Sequence, residues 1–435
     1  MDALFLARIQ FAFTVGFHFL FPAMTLGTAL AILISETAYL VKKDEVYKKI
    51  TDFLARLLGL IFVAGTATGL TMEFSFGMNW AGYSRAVGDI FGPLLAVEGV
   101  TAFFLEAVFI GVLIFARNKV SPKVYWLSAL LVFIGGHLSA FWILAANSWM
   151  QTPAGYYING AGKIILSSFS QAVFNPSTMI RFFHAVMASW MTCAIMIAGI
   201  AGYYVRKGLH GQTARTMLKI GIILFALTPL LQLSSGHIHA IQVIDTQPEK
   251  AAALEGLFET TRGAPLYIAG FVDEQNEKTE GIYLPKLLSY LYNFDWNSEI
   301  KGLKEFPKEN WPPVNFVFQA YHIMVGIGML AIALGLLGAL LLVTKKLYEA
   351  KVYLFLLPFL IPLPHIAHET GWIAAEVGRQ PWIIYKLMKT SDAVSVVVSA
   401  NHIFFSLIAF SLIYLLLFVM FIFLFLKIVK KGPAA

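Results

Sequence analysis

The sequence predicts an all-α polytopic membrane protein with about nine transmembrane helices in a bundle and one long extracytoplasmic loop. Hydrophobic residues make up 58% of the 435 residues and charged residues only 13%, which is too few to cover the surface of a soluble protein of this length. Apolar runs of 20 or more residues recur along the chain, and each can cross a hydrocarbon core of about 30 Å. Only helices and closed barrels satisfy their backbone in lipid, and these runs are too long for barrel strands.

The predicted spans lie near residues 8–35, 53–73, 92–116, 124–146, 180–205, 217–239, 315–343, 352–376 and 400–427. The first run is longer than a signal-peptide core and lacks a small-residue cleavage site, so we expect a retained span. The chain then divides into helices one to six (1–239), an extracytoplasmic loop (240–314) and helices seven to nine (315–435). The loop is rich in Glu, Lys, Pro and Gly, and we expect it to order on binding or to be partly mobile.

Basic residues concentrate in alternate loops, which predicts the sidedness of the chain. The loops after the odd-numbered spans contain Lys42, Lys43, Lys48, Lys49, Arg117, Lys119, Lys123, Arg206, Lys207, Arg215, Lys219, Lys345, Lys346, Lys351, Lys427, Lys430 and Lys431. By the positive-inside rule, the N-terminus is outside and the C-terminus is cytoplasmic. The net charge of +7 is therefore a topology signal, and no nucleic-acid partner is expected. The loop after span eight, with Arg379, Lys386 and Lys389, breaks the alternation, which marks it as a functional region.

Ionisable side chains inside the predicted spans each need a reason, because each costs roughly 2.5–3.5 kcal/mol in hydrocarbon. The intramembrane set comprises His18, Glu98, Glu106, His184, His365, His368, Glu369 and Glu376. At a rise of about 1.5 Å per residue, His18 and Glu98 lie at similar depth, and Glu106 lies about 12 Å deeper toward the inside. This is the layout of a cofactor ligand that a carboxylate relay reaches from the cytoplasm.

Each of these residues also has a plainer interpretation. A lone membrane histidine is usually a structural hydrogen-bonding group, and Met324 alone would be core packing. His184 and Met324 nevertheless lie at similar depth, which suits the axial pair of a low-spin haem. The single cysteine, Cys193, excludes an internal disulfide and a four-cysteine iron–sulfur cluster. The spacing His365-x-x-His368-Glu369 resembles a helical metal site but is not HExxH. Two classes remain: a haem-bearing redox protein, or an ion-coupled secondary transporter using Glu98, Glu106 and Glu369.

Six motifs decide between these classes by resemblance. They are HFLFPAMTLG (18–27), GTATGLTMEFSFGMNW (65–80), VGDIFGPLLAVEG (87–99), LSAFWILAANSWMQTP (138–153), IMVGIG (323–328) and GWIAAEVGRQPW (371–382). In this order they resemble the haem-bearing subunit I of the bacterial cytochrome bd quinol oxidases, and the likeness covers most of the chain. One departure is His322, which stands where the family commonly has an arginine two residues before the axial methionine.

The resemblance implies three haems and a ligand set for each. His184 and Met324 match the axial ligands of a low-spin haem b. His18 matches the ligand of haem d, and Glu376 that of a second, high-spin haem b. Trp372 matches an aromatic residue among the haems, and Arg379 matches a basic residue that neutralises haem propionates.

The resemblance also implies four residues that handle protons and quinol. Glu98 matches the carboxylate of the oxygen-reducing pocket, and Glu106 matches its companion on the proton route. In QPEKAAALE, Lys250 and Glu255 match the quinol-binding pair, with Glu255 suited to accept a proton. Five residues apart on a helix, the two side chains point about 140° apart and need not face one another. Without the family, they would be interpreted as an exposed helix pair.

The implied function is that of a terminal respiratory oxidase in the bacterial cell membrane. Quinol is oxidised at the outer face, and O2 is reduced to water with cytoplasmic protons. A proton motive force then arises without pumping, because the two reactions draw and release protons on opposite sides. The implied partners are a second membrane subunit (subunit II) and small single-span subunits. The secondary transporter remains the alternative, although we find none of the inverted repeats that would favour it.

Overall fold

The computed structural model describes residues 2–433, and within that range nine helices are long and apolar enough to cross a membrane. The spans are Ala3–Lys42, Glu45–Met78, Ala81–Phe115, Pro122–Gln151, Thr178–Lys207, Gly211–Thr246, Val314–Val343, Lys351–Val377 and Ala400–Lys431. The predicted all-α polytopic class is confirmed. The helices extend beyond the predicted spans because their polar ends continue past the apolar runs from which those spans were predicted.

Seven of these spans are single helices in the described part of the chain, and two are interrupted. The single helices are α1 (Ala3–Lys42), α2 (Glu45–Met78), α5 (Pro122–Gln151), α7 (Thr178–Lys207), α8 (Gly211–Thr246), α11 (Val314–Val343) and α14 (Ala400–Lys431). The third span consists of α3 (Ala81–Val97), a π-helical segment (Glu98–Phe103) and α4 (Phe104–Phe115). The eighth consists of α12 (Lys351–Leu356), a 3₁₀ turn (Leu357–Leu360) and α13 (Pro362–Val377). Pro358 and Pro362 lie at that second break, where each removes a backbone donor.

The apolar core has two parts, one at each end of the bundle. On α5, for example, Tyr125 and Val132 belong to the inner part, whereas Ala145 and Trp149 belong to the outer part. Between them, Gly136 and Ser139 line a large cavity. The two parts of the core therefore pack the helices together on either side of the cavity. The polar and ionisable side chains line the cavity between them.

The outer segment between α8 and α11 consists of short regular elements. These are α9 (Pro248–Glu255), β3 (Thr261–Arg262), β4 (Leu266–Asp273), β5 (Lys278–Leu284), α10 (Leu287–Asn293) and β6 (Glu299–Ile300). β4 and β5 form an antiparallel hairpin, and β3 pairs with β6. Phe258 and Val272 pack with Phe318 of α11 in a small core of their own. The segment that we expected to be partly mobile is thus built on an apolar base, and α8 extends into it as far as Thr246.

Short hairpins close the outer ends of the other spans. β1 (Tyr156–Ile158) pairs with β2 (Ile164–Leu166) ahead of the short helix α6 (Phe169–Val173). β7 (Trp382–Ile384) pairs with β8 (Met388–Lys389) directly after α13. The carboxyl end of α13 therefore leads into an ordered hairpin.

Candidate functional site

One cavity of about 2080 Å³ lies inside the bundle. Small-molecule sites usually occupy about 300–1,000 Å³, so this space can hold more than one large cofactor. All ten candidate site residues line it: His18, Glu98, Glu106, His184, Lys250, Glu255, Met324, Trp372, Glu376 and Arg379. The fold thus brings together residues from five of the spans and from the outer segment.

His18 of α1 is held in an orientation suited to ligation. Its Nδ1 lies 3.0 Å from the Oγ1 of Thr68 on α2. The Thr68 hydroxyl lies 3.0 Å from the backbone oxygens of both Ala64 and Gly65, to which it can donate. The hydroxyl oxygen then accepts a hydrogen bond from the Nδ1–H group, which leaves the lone pair of Nε2 free to bind a metal. A Cβ at Gly69 would lie 3.1 Å from the His18 ring, so the glycine leaves room beside it.

His184 of α7 and Met324 of α11 face the same cavity. The His184 Nδ1 lies 3.2 Å from the Ser235 hydroxyl, and its Nε2 lies 3.0 Å from the Gln232 amide nitrogen. The Met324 sulfur faces Gly371 of α13, where a Cβ would approach it to 2.6 Å. Any larger residue at Gly371 would therefore displace the thioether. An imidazole and a thioether form a suitable ligand pair for haem iron, and a haem bound here would take the place of the Gln232 contact at Nε2.

Glu376, near the end of α13, is the most heavily bonded carboxylate of the site. Its Oε1 accepts hydrogen bonds from the side-chain amides of Asn147 and Gln151, both at 3.1 Å. Its Oε2 pairs with the Arg379 guanidinium. A carboxylate oxygen has two lone pairs, so Oε2 keeps one for a further partner such as a metal. Amide and guanidinium donors of this kind orient a ligating carboxylate.

Two buried arginines give the outer end of the cavity a positive charge. Arg379 donates from Nε to the Trp382 carbonyl at 3.2 Å, and its Nη1 is buried without a hydrogen-bond partner among the described residues. Arg181 of α7 hydrogen-bonds Asn147 and lies 3.8 Å from the Glu376 Oε1. An unpartnered buried guanidinium nitrogen fits an acidic group that occupies the cavity, such as a haem propionate.

The carboxylates of the third span lie on a stretch of unusual backbone. Glu98 begins the π-helical segment, and its Oε1 accepts a hydrogen bond of 2.7 Å from Ser139 of α5. Glu106 follows on α4 and is 6% exposed, and its Oε1 has no partner within residues 2–433. Its side chain packs against Gly135 and Gly136 of α5. π-Helical turns occur often at functional sites.

Lys250 and Glu255 of α9 have different surroundings, as their spacing predicts. Lys250 is 5% exposed and donates to the side-chain oxygens of Gln151 at 2.8 Å and Gln247 at 3.0 Å. Burial lowers the pKa of Lys250 well below its usual range, and the Arg181 guanidinium adds to this effect. Burial raises the pKa of Glu255 to about 7, and the neighbouring Tyr321 hydroxyl opposes the shift.

Two further histidines, His368 and His322, have hydrogen-bond partners, whereas the buried Nδ1 of His365 has none among the described residues. The His368 Nε2 lies 3.1 Å from the Thr192 hydroxyl, so a structural hydrogen bond accounts for this ring. His322 lies 2.8 Å from the Phe318 carbonyl and 3.1 Å from the Tyr267 carbonyl, which ties α11 to β4. Across residues 2–433, no three His, Cys, Asp or Glu side chains are grouped to hold a bare metal ion.

Sequence reasoning missed four polar residues that shape the site. Glu73 lines the cavity from α2, Arg181 and Asn147 border Glu376, and Gln151 contacts Lys250. Three of them lie in or beside the apolar runs, where a polar residue is itself a signal. Their partners are far away in sequence, so their roles had no local signature.

The chain matches known proteins along nearly its whole length. The sequence profile of the family described as "Cytochrome bd terminal oxidase subunit I" matches residues 6–433. The chain is 39% identical to a cytochrome bd ubiquinol oxidase subunit 1 of Bacillus subtilis, covering 99% of this chain and 94% of that protein. It is 32% identical to a cytochrome bd-II ubiquinol oxidase subunit 1 of Escherichia coli, covering 100% of this chain and 98% of that protein.

A solved structure has the same fold. A chain of the bd oxidase from Geobacillus thermodenitrificans superposes with a TM-score of 0.93 at 28% sequence identity. The match covers 99% of both chains. The superposed region therefore contains the nine spans of the described residues and the segment between α8 and α11.

Proposed function

The chain belongs to the cytochrome bd terminal oxidase subunit I family, and from that premise we propose how its cavity divides the work of a quinol oxidase. Membership makes the chain a subunit of a haem-bearing terminal quinol oxidase in a bacterial membrane. We propose that quinol is oxidised beside Lys250 and Glu255, and that oxygen is reduced beside Glu98. The observation that carries this proposal is one cavity that is lined by Lys250, Glu255 and Glu98 and also by four suitable iron ligands.

The ligands are assigned by the donor atoms that the fold presents. His184 and Met324 would hold a low-spin haem b, His18 haem d, and Glu376 a high-spin haem b. When bound, the haems supply electron transfer and the reduction of oxygen. Thr68 fixes the His18 tautomer, and Asn147 fixes the Glu376 carboxylate. The unpartnered Arg379 nitrogen and Trp372 line the space left for the cofactors.

At the outer end, α9 supplies a base and a hydrogen-bonding group for quinol. Loss of an electron makes a quinol hydroxyl strongly acidic, so a nearby proton acceptor speeds the reaction. Glu255, with a pKa of about 7, is poised to accept that proton at neutral pH. Lys250 donates to Gln151 and Gln247, which holds its side-chain nitrogen in place beside the cavity as a hydrogen-bonding group for a quinol oxygen.

Deeper in the cavity, Glu106 and Glu98 are placed to pass protons from the cytoplasmic side. The buried Glu106 oxygen without a partner can exchange protons with water that enters the cavity. Ser139 holds Glu98 in a fixed orientation beside the cavity. With the N-terminus outside and the C-terminus inside, protons are released outside and taken up inside. We infer that this builds a proton motive force without a pump.

As a subunit I, the chain works with a subunit II. The surface of the bundle suits this, because α14 buries Ile403, Tyr414 and Phe421 and leaves most of its other described side chains exposed. We propose that lipid, subunit II and small single-span subunits cover these apolar faces.

The proposal is tested by the pH dependence of quinol-driven oxygen uptake in the purified complex. Above pH 7 the Glu255 carboxylate is ionised and can accept a proton, so the rate rises as pH increases through about 7. Glu255→Gln removes the base, so we expect a fall of about 10²–10⁴-fold and a flat profile near pH 7. The control is Glu249→Gln on the same helix, where the carboxylate instead bonds the Tyr385 hydroxyl at 2.5 Å. A Glu255→Gln enzyme with an unchanged profile would contradict the assignment.

A further inference from the structure

We propose that Gln151 is a positioning residue that links the quinol site to the Glu376 haem site through the two ends of its side-chain amide. This inference rests on the proposed function. Gln151 ends α5 at the outer face and is 2% exposed. No motif role was predicted for it, although it lies within NSWMQ.

The contacts of Gln151 run in both directions. Its Oε1 accepts a hydrogen bond from the Lys250 ammonium or amine at 2.8 Å. Its Nε2 donates to the Glu376 Oε1 at 3.1 Å and lies 3.3 Å from the Ala375 carbonyl. Its backbone oxygen accepts from the Gln247 amide at 3.0 Å. One side chain thus spans α5, α9 and α13.

The chemistry of the two neighbours fixes which way the amide points. The lysine donates in this contact, and the ionised carboxylate can only accept. The Gln151 oxygen must therefore face Lys250, and the nitrogen must face Glu376. Rotating the amide by 180° would break both bonds at once. A shift of Lys250 when quinol binds is thereby passed to the donor that orients Glu376, because the amide is rigid and buried.

Two neighbouring amides each make only one half of this connection. Gln247 accepts from Lys250 at 3.0 Å, and the structure gives its side chain no contact with Glu376. Asn147 donates to Glu376 at 3.1 Å, and the structure gives it no contact with Lys250. Among residues 2–433, Gln247 therefore contacts only the lysine of this pair, and Asn147 only the carboxylate. These residues are therefore matched, one-sided controls for Gln151.

The test uses Gln151→Met, Gln247→Met and Asn147→Leu in the purified complex, with two readouts. The first is the dissociation constant of a non-oxidisable quinone analogue, and the second is the absorption spectrum of the high-spin haems. We expect Gln151→Met to weaken analogue binding by about tenfold and also to alter the high-spin spectrum. Gln247→Met should change binding alone, and Asn147→Leu should change the spectrum alone.

Gln151→Glu separates positioning from packing. Its carboxylate can still accept from Lys250 but cannot donate to Glu376 as an ionised group. We expect analogue binding close to that of the unmodified enzyme and an altered high-spin spectrum. The low-spin bands of the His184 and Met324 site report that each variant has folded, and Gln151→Glu decides the question if Gln151→Met fails to assemble.

The inference is overturned if Gln151→Met changes neither readout or only one, or if Gln151→Glu loses both together. Its failure is distinct from failure of the proposed function. An unmodified complex without haem bands or quinol-driven oxygen uptake would contradict the function itself. A working unmodified enzyme with an unaffected Gln151→Met variant would contradict the link alone.

Discussion

At the scale of single residues, Glu376 shows how a charged group is accommodated within a membrane span. An ionised carboxylate in a low-dielectric interior needs a countercharge and several donors. The structure supplies Arg379 one helical turn later, with Asn147 and Gln151 from α5 on the other oxygen. The two charges in GWIAAEVGRQPW are therefore one bonded unit, and its fixed orientation suits Glu376 to the iron-ligand role that we propose.

The proposed role of Met324 as a haem ligand predicts a selective spectral loss. Leucine has a similar volume but no sulfur lone pair, so Met324→Leu should remove the low-spin haem bands and spare most of the high-spin spectrum. Quinol oxidase activity should fall by at least about tenfold. The control is Met196→Leu on α7, because Met196 is buried in the inner part of the core and does not line the cavity. Low-spin bands that persist in Met324→Leu would refute the ligand assignment.

At the scale of elements, local backbone geometry sets the direction of the functional side chains. The π-helical segment Glu98–Phe103 changes the register of the third span between its two carboxylates. In the segment between α8 and α11, α9 ends at Glu255 and is capped by Gly256, whose φ of +66° favours glycine. The cap also accepts a hydrogen bond of 2.6 Å from the Thr279 hydroxyl of β5. The end of α9 is thus anchored to the β4–β5 hairpin.

Gly256→Ala should therefore impair the quinol site and leave the haems in place. The new Cβ would lie 2.7 Å from the Thr279 Oγ1 and in a left-handed conformation, which costs about 1–2 kcal/mol. We expect the affinity for quinol to fall by about tenfold, measured as an increased KM, with an unchanged haem spectrum.

The matched control is Gly208→Ala at the carboxyl end of α7. Gly208 has a φ of +69°, and a Cβ there would meet nothing within 4 Å in the described part of the chain. This variant has the same backbone strain without the clash and lies far from α9. An equal rise of KM in both variants would show that the cap of α9 has no special role.

At the scale of the whole molecule, the spans were predictable and their mutual contacts were not. Hydropathy alone located the nine helices along the described part of the chain. In lipid the backbone must make its hydrogen bonds internally, so a long apolar run forms a helix. Motif resemblance supplied the ligand candidates. The contacts of Arg181, Asn147 and Gln151 were not predictable, since they join positions far apart in sequence. The regular structure of the outer segment was also missed, because its short strands gain stability from packing on α11 rather than from local pattern.

The central claim is that one cavity separates quinol chemistry at its outer end from oxygen chemistry deeper inside. Stopped-flow measurement of the two half-reactions tests this most directly. In Glu255→Gln, we expect reduction by quinol to slow by about 10²-fold or more, while oxidation of the pre-reduced enzyme by oxygen keeps its rate. In Glu98→Gln, we expect the reverse pattern. Equal slowing of both half-reactions in either variant would contradict the division of the cavity.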